Sequence, residues 1–109
     1  MNDTRLRELI GTLGEEADIT TDPEFSRKLN GVANKLSAGN YALTQREKNV
    51  IRRMLLDLRE MYFFEEPVRG WVSYLSDTGG GCRKYTWLAF KQAAELGVKV
   101  PKVELLRDE

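Results

Sequence analysis

The chain contains no histidine and only one cysteine, Cys82, among its 109 residues. Without histidine it lacks the usual general base near neutral pH and the commonest nitrogen ligand for zinc, copper or iron. A lone cysteine excludes an internal disulfide and a thiolate metal cluster built by one chain. Carboxylates, lysine or tyrosine can still do chemistry, so composition disfavours catalysis without excluding it. No apolar run approaches the roughly 20 residues that span a bilayer. Met1 to Glu8 is polar and of mixed charge rather than basic and then apolar. These absences lead us to expect a cytoplasmic protein with no signal peptide, no membrane contact, no metal and no cofactor.

Net charge is also absent, with 17 cationic and 17 acidic side chains, but the charges are unevenly placed. Residues 1–25 hold two arginines against seven acids, and residues 26–64 hold eight cations against three acids. At this length the size prior is one domain with about two-thirds of its surface buried.

The strongest positive signal runs from Thr44 to Phe64. Val50, Ile51, Met54, Leu55, Leu58, Met61 and Tyr62 recur at helical spacing. Thr44 followed by Glu47 forms a capping box, and Pro67 is a stop signal. Around this central helix the pattern predicts others. Leu6, Leu9, Ile10 and Leu13 mark one from Asn2 or Asp3 to about Glu16. Phe25, Leu29, Val32, Ala33 and Leu36 mark a second, ending near Ser37, with Thr21 and Glu24 as its capping box and Pro23 in its first turn. Val68, Trp71, Val72 and Leu75 keep helical spacing and are read as a short helix, although Gly70 and the β-favouring residues around it would also suit a strand. Asp77 to Gly81 reads as a loop. A last helix follows from about Cys82 to Leu96, with Gly97 as its C-terminal cap and Val98 making the accompanying apolar contact. Val100 to Glu109 is expected to be extended. The expected fold is therefore all-α, a single helical domain of four to five helices bundled around the helix at about 44–64.

Four features could carry function. Gln45, Arg46, Lys48, Asn49, Arg52 and Arg53 form a polar strip on the outward face of the central helix, and these residue types read base edges and hold phosphates in the major groove. Eight of the ten aromatics lie from Tyr62 onward. Among these, Phe63, Phe64, Trp71, Trp87 and Phe90 are candidates for a partner or dimer surface, because Met61 to Phe64 is apolar all round. Gly80, Gly81, Arg83 and Lys84 could cradle a phosphate at a helix start, although the spacing matches no phosphate-binding fingerprint. The acids Glu15, Asp18, Asp22 and Glu24 lack the ligand spacing of a calcium loop, and adjacent pairs such as Glu65 and Glu66 point apart rather than forming a dyad.

Leu43 to Met54, with its Leu-Thr-Gln-Arg-Glu opening, resembles the start of the LuxR-type DNA-binding helix-turn-helix over about a dozen residues. That family continues with a short helix, a turn and a recognition helix. This chain runs straight on to Tyr62 and Phe64, so the resemblance amounts to a shared capping box and no residue role is carried over. The expectation ranked first is a small non-catalytic interaction or regulatory protein, suited to a phage-type inhibitor or adaptor. It would bind a protein partner or itself through the aromatic surface and the basic helix face. The alternative is a nucleic-acid-binding module using the basic face.

Overall fold

The computed structural model of the chain describes residues 3–75 and 81–107, with the side chains of 74, 75, 81–85 and 107 excepted. In chain order these residues form α1 (Asp3–Ile19), α2 (Pro23–Ser37), α3 (Gln45–Tyr62), β1 (Phe64–Glu66), β2 (Gly70–Leu75), α4 (Gly81–Glu95) and β3 (Glu104–Arg107). The all-α expectation is therefore wrong. The fold is α+β, with four helices and a three-stranded mixed sheet among the described residues.

The three long helical stretches form where their apolar stripes place them. Leu6, Leu9, Leu13 and Ala17 of α1, Phe25, Leu29, Val32 and Leu36 of α2, and Ile51, Met54, Leu55 and Leu58 of α3 are buried together. The starts of α2 and α3 are satisfied locally. Asp22, not the Thr21–Glu24 pair, caps α2: its Oδ1 accepts from the backbone N–H groups of Glu24 (3.0 Å) and Phe25 (3.2 Å), and Pro23 takes the first helical position. The Ser26 hydroxyl donates to the Ala17 carbonyl at 2.6 Å, which holds the start of α2 against the last turn of α1. The capping box of α3 is complete, with Thr44 accepting from Glu47 N–H (3.2 Å) and Glu47 from Thr44 N–H (2.8 Å).

The central helix ends at Tyr62, short of Phe64 and well before Pro67, and this early stop makes room for the sheet. Phe63 turns into extended backbone (φ −122°, ψ 158°), and its N–H still donates to the Arg59 carbonyl. β1 then pairs antiparallel with β2, Phe64 opposite Val72 and Glu66 opposite Gly70. Pro67, Val68 and Arg69 form the hairpin turn, closed by Gly70 at φ +79°, a backbone region costly for any residue with a Cβ.

Residues 70–75 form a strand rather than the expected helix because their partner is remote. β3 pairs parallel to β2, Val72 opposite Glu104 and Leu75 opposite Arg107, with α4 as the crossover. β2 is the middle strand, and the adjacent residues Val72 and Ser73 are both buried, so the two-residue alternation of a half-exposed strand is absent. α4 buries Ala89, Phe90 and Ala93 against the helices. It ends as expected at Gly97, φ +86°, where Val98 N–H donates to Ala93 O and Gly97 N–H to Ala94 O, both at 3.1 Å, and Val98 is buried.

Candidate functional site

α2 and α3 run antiparallel, tied at both ends. At one end the Lys35 ammonium donates to Glu47 Oε1 at 2.7 Å and to the Ala42 carbonyl at 2.8 Å, so the α3 capping box is anchored to the last turn of α2. These contacts hold the Glu47 carboxyl below the usual carboxylate range, the hydrogen bond from Lys35 contributing most and the Thr44 N–H next. At the other end the Arg53 guanidinium lies 3.8 Å from the centre of the Phe25 ring and 3.8 Å from Asp22 Oδ2.

Between these ties the two helices leave a groove of about 760 Å³. Half-buried Val50 lines it beside the buried Phe25 and Val32, Gly31 leaves one wall low, and Lys28, Arg46 and Arg53 stand at its rim with Asn49. A Cβ on Gly31 would meet no atom within 4 Å. A shallower depression of about 230 Å³ continues along α3 past Arg53, edged by Arg52, Leu56 and Asp57.

The basic strip of α3 is thereby divided. Arg46, Asn49 and Arg53 border the groove, and Gln45 donates to Asn49 Oδ1 at 2.9 Å beside it. Lys48 and Arg52 are turned toward the end of α4 and the segment beyond it. Arg52 Nε donates to the Lys99 carbonyl at 2.9 Å. The Lys48 ammonium sits 3.2 Å from where a Cβ on Gly97 would be, at the negative end of the α4 dipole. The rim is also less basic than the strip suggests. Lys28 pairs with Glu24 at 3.3 Å and Arg53 approaches Asp22, which leaves Arg46 as the rim cation without an ion pair among the described residues.

The aromatic candidates are divided as well. Phe63 (4% exposed) and Phe90 (2%) are core residues whose ring centres lie 5.7 Å apart, so neither belongs to a surface. Trp71 is half-buried under the Arg59 guanidinium at 4.5 Å, and Trp87 is half-buried with the Lys91 ammonium 5.0 Å from its ring. Phe64 remains exposed at 47%, and Met61, Tyr62 and Val68 are exposed as well, the last at 96% on the hairpin tip. Met61 and Tyr62 had been assigned to the buried stripe of the central helix. Val68 carries no signal of exposure until the hairpin is known.

Gly80 and the side chains of Arg83 and Lys84 lie outside the described residues, as does the side chain of Cys82; Gly81 is the first residue of α4. Among the described residues no group of three or more acids, cysteines or histidines is placed to hold a metal ion. No described helix is long and apolar enough to cross a membrane. No family model matches the chain, and no curated protein or solved structure matches it either.

Proposed function

We propose that this is a small non-catalytic interaction protein of the cytoplasm, of the inhibitor or adaptor kind, which takes an acidic, apolar-faced segment of a protein partner between α2 and α3. The observation that carries this reading is the groove itself, in which half-buried Val50 lies beside the buried Phe25 and Val32 under a cationic rim. An amphipathic helix laid in such a groove buries its apolar face and brings a carboxylate to Arg46. The absence of histidine supports a binding role over a catalytic one.

Nucleic acid is the second reading, favoured by Arg46 and Asn49 standing exposed in the opening turns of α3. It ranks lower because Arg46 is the one rim cation without an ion pair among the described residues, enough to meet a single carboxylate but few to hold the several phosphates of a duplex. Two titrations followed by amide chemical shifts separate the readings. The first uses a synthetic helical peptide with leucines on one face and glutamates flanking them. It should shift Phe25, Val32 and Val50, and Gly31→Leu, which fills the groove from its low wall, should abolish the effect. The second uses a random-sequence DNA duplex across a salt series. Tight duplex binding with a steep salt slope, lost in Arg46→Glu, together with no peptide shift, would replace the first reading by the second.

A further inference from the structure

Residues 100–106 lead from the end of α4 into β3, which lies at one edge of the sheet. Among the described residues the backbone of 100–103 makes no hydrogen bond, and β3 is paired on one side only, with β2. Such an edge is a template for a further strand. The opposite edge is guarded, because β1 is three residues long, carries Glu65 and Glu66, and stops at Pro67. The order of side chains along 100–106 is self-complementary. Val-Pro-Lys-Val-Glu-Leu-Leu, laid against its own reverse about Val103, sets Lys102 against Glu104, Pro101 against Leu105 and Val100 against Leu106. Each of these pairs joins opposite charges or two apolar side chains. Lys102 and Glu104 are exposed and form no ion pair with described residues, and Val100, Val103, Leu105 and Leu106 are only half-buried.

We propose that this segment pairs antiparallel with the same segment of a second copy, joining two three-stranded sheets into one of six strands. The twofold axis of such a pair stands perpendicular to the sheet and keeps each face on its own side, while side chains alternate between faces. Opposed residues must therefore differ by an even number, which puts one residue opposite its own copy. Lys102, Glu104 or Arg107 at that place opposes its like. Leu105 or Leu106 there leaves Glu104 without an opposite charge. Val103 there sets Lys102 of each copy against Glu104 of the other, with Cβ atoms about 5 Å apart. Pro101 has no N–H, and antiparallel pairs alternate between bonded and non-bonded places. Pro101 and Val103 take the non-bonded places, and Lys102 and Glu104 the bonded ones. Beyond the segment Lys99 would oppose Arg107, which ends the pairing there. The contact is isologous and closes at the dimer. The chain's net charge of zero leaves no overall repulsion between copies. So short a contact buries little area, so the dimer is weak, in the micromolar to millimolar range. It shares no residue with the α2–α3 groove and does not depend on it.

The test is sedimentation equilibrium of the full chain over a concentration series to about 1 mM, a range set by that expected affinity. The weight-average mass should rise from the 12.5 kDa of one chain toward twice that value and not beyond. Lys102→Glu and Glu104→Lys each place like charges opposite one another at both positions, and each should weaken the dimer about tenfold or more. Both side chains are exposed, so circular dichroism and urea midpoint should match those of wild type. The two single variants mixed in equal amounts should form a heterodimer, since every opposed pair is then of unlike charge. Lys102→Glu/Glu104→Lys, which exchanges the two charges, should restore the wild-type affinity. Wild type monomeric throughout overturns the proposal. A dimer that neither single variant weakens overturns it as well, because that dimer lies on another surface. Single variants that weaken the dimer with no recovery in the mixture or in the exchanged variant overturn the register about Val103, and the proposal with it. The groove reading is decided separately by its own peptide titration.

Discussion

Residues up to Tyr62 and the residues beyond it are held together by different means. In the first region the polar groups at helix ends are satisfied by close neighbours, such as Asp22 on the first turn of α2 and Thr44 with Glu47 on α3. Lys35 reaches only 12 residues on to Glu47. In the second region the defining contacts span long stretches of chain: β2 meets β3 some 30 residues later. There the polar accounting is also less complete. Gln92 is fully buried with neither amide atom hydrogen-bonded among the described residues. Arg59 Nε, at the boundary between the regions, is buried and unpartnered while its guanidinium lies over Trp71. The comparison teaches that the first region is specified by local chemistry, and the second by packing onto a platform that the first provides.

The junction at Phe63 tests this most severely. Phe63→Ala removes a buried ring packed on Phe90 and should cost about 3–5 kcal/mol, measured by urea denaturation. Phe64→Ala, one residue on and half-exposed, should cost about 1 kcal/mol or less. Equal losses would mean that the hairpin is part of the core and not a projection.

Gln92 and Glu47 should respond in opposite directions. Gln92→Met keeps the volume and removes a buried amide that has no hydrogen-bond partner among the described residues, so it should gain about 1–2 kcal/mol. Glu47→Ala removes half of the capping box and the Lys35 ion pair, and should lose about 1 kcal/mol at neutral pH. Because the folded protein holds the Glu47 carboxyl below its ordinary value of 4.5, its contribution is present above that value and is lost as pH falls through the lower, folded one. The gap between wild type and Glu47→Ala should therefore close in acid. A gap that persists in acid, below the folded value, would assign the loss to contacts of the uncharged side chain and not to the carboxylate. Gly31→Ala should gain up to about 1 kcal/mol, since glycine weakens a helix interior and nothing stands where the methyl would go.

The same division governs what could be read from residue order. The capping box at Thr44, the stop at Gly97 and the core stripes of α1, α2 and α3 are patterns within a turn or two of helix, and the structure contains them. The strand at Gly70–Leu75 was misread because Val68, Trp71, Val72 and Leu75 satisfy helical spacing, while Glu104–Arg107, which makes them a strand, leaves no trace in that window. Ending α3 at Tyr62 rather than Phe64 reverses the fate of the aromatic run. Phe63, offered as surface, goes to the core, and Met61 and Tyr62, offered as core, go to the surface. The groove was half legible. Its cations were picked out as a strip, but its lining and the diversion of Lys48 and Arg52 toward α4 and the segment after it depend on how the helices diverge.

The smallest expected effect lies where α1 meets α3. Glu16 is half-buried, and its carboxyl is raised above its ordinary value of 4.5 by burial first and then by the charges of Asp57 and Glu15. The native state thus holds that proton more tightly than the unfolded chain does. Ionised Glu16 lowers stability at every pH above its folded value, and the penalty fades as pH falls through that value to 4.5. Glu16→Gln should therefore raise stability at pH 7, by only a few tenths of a kcal/mol because solvent screens a partly exposed group. The gain should vanish below pH 4, where both proteins carry a neutral side chain. Asp57→Asn should bring about part of the same gain, and in the double variant the two gains should add to less than their sum, since each removes one side of a single repulsion. Strict additivity would assign the Glu16 penalty to burial and Glu15 and leave α1 and α3 without electrostatic coupling at this point.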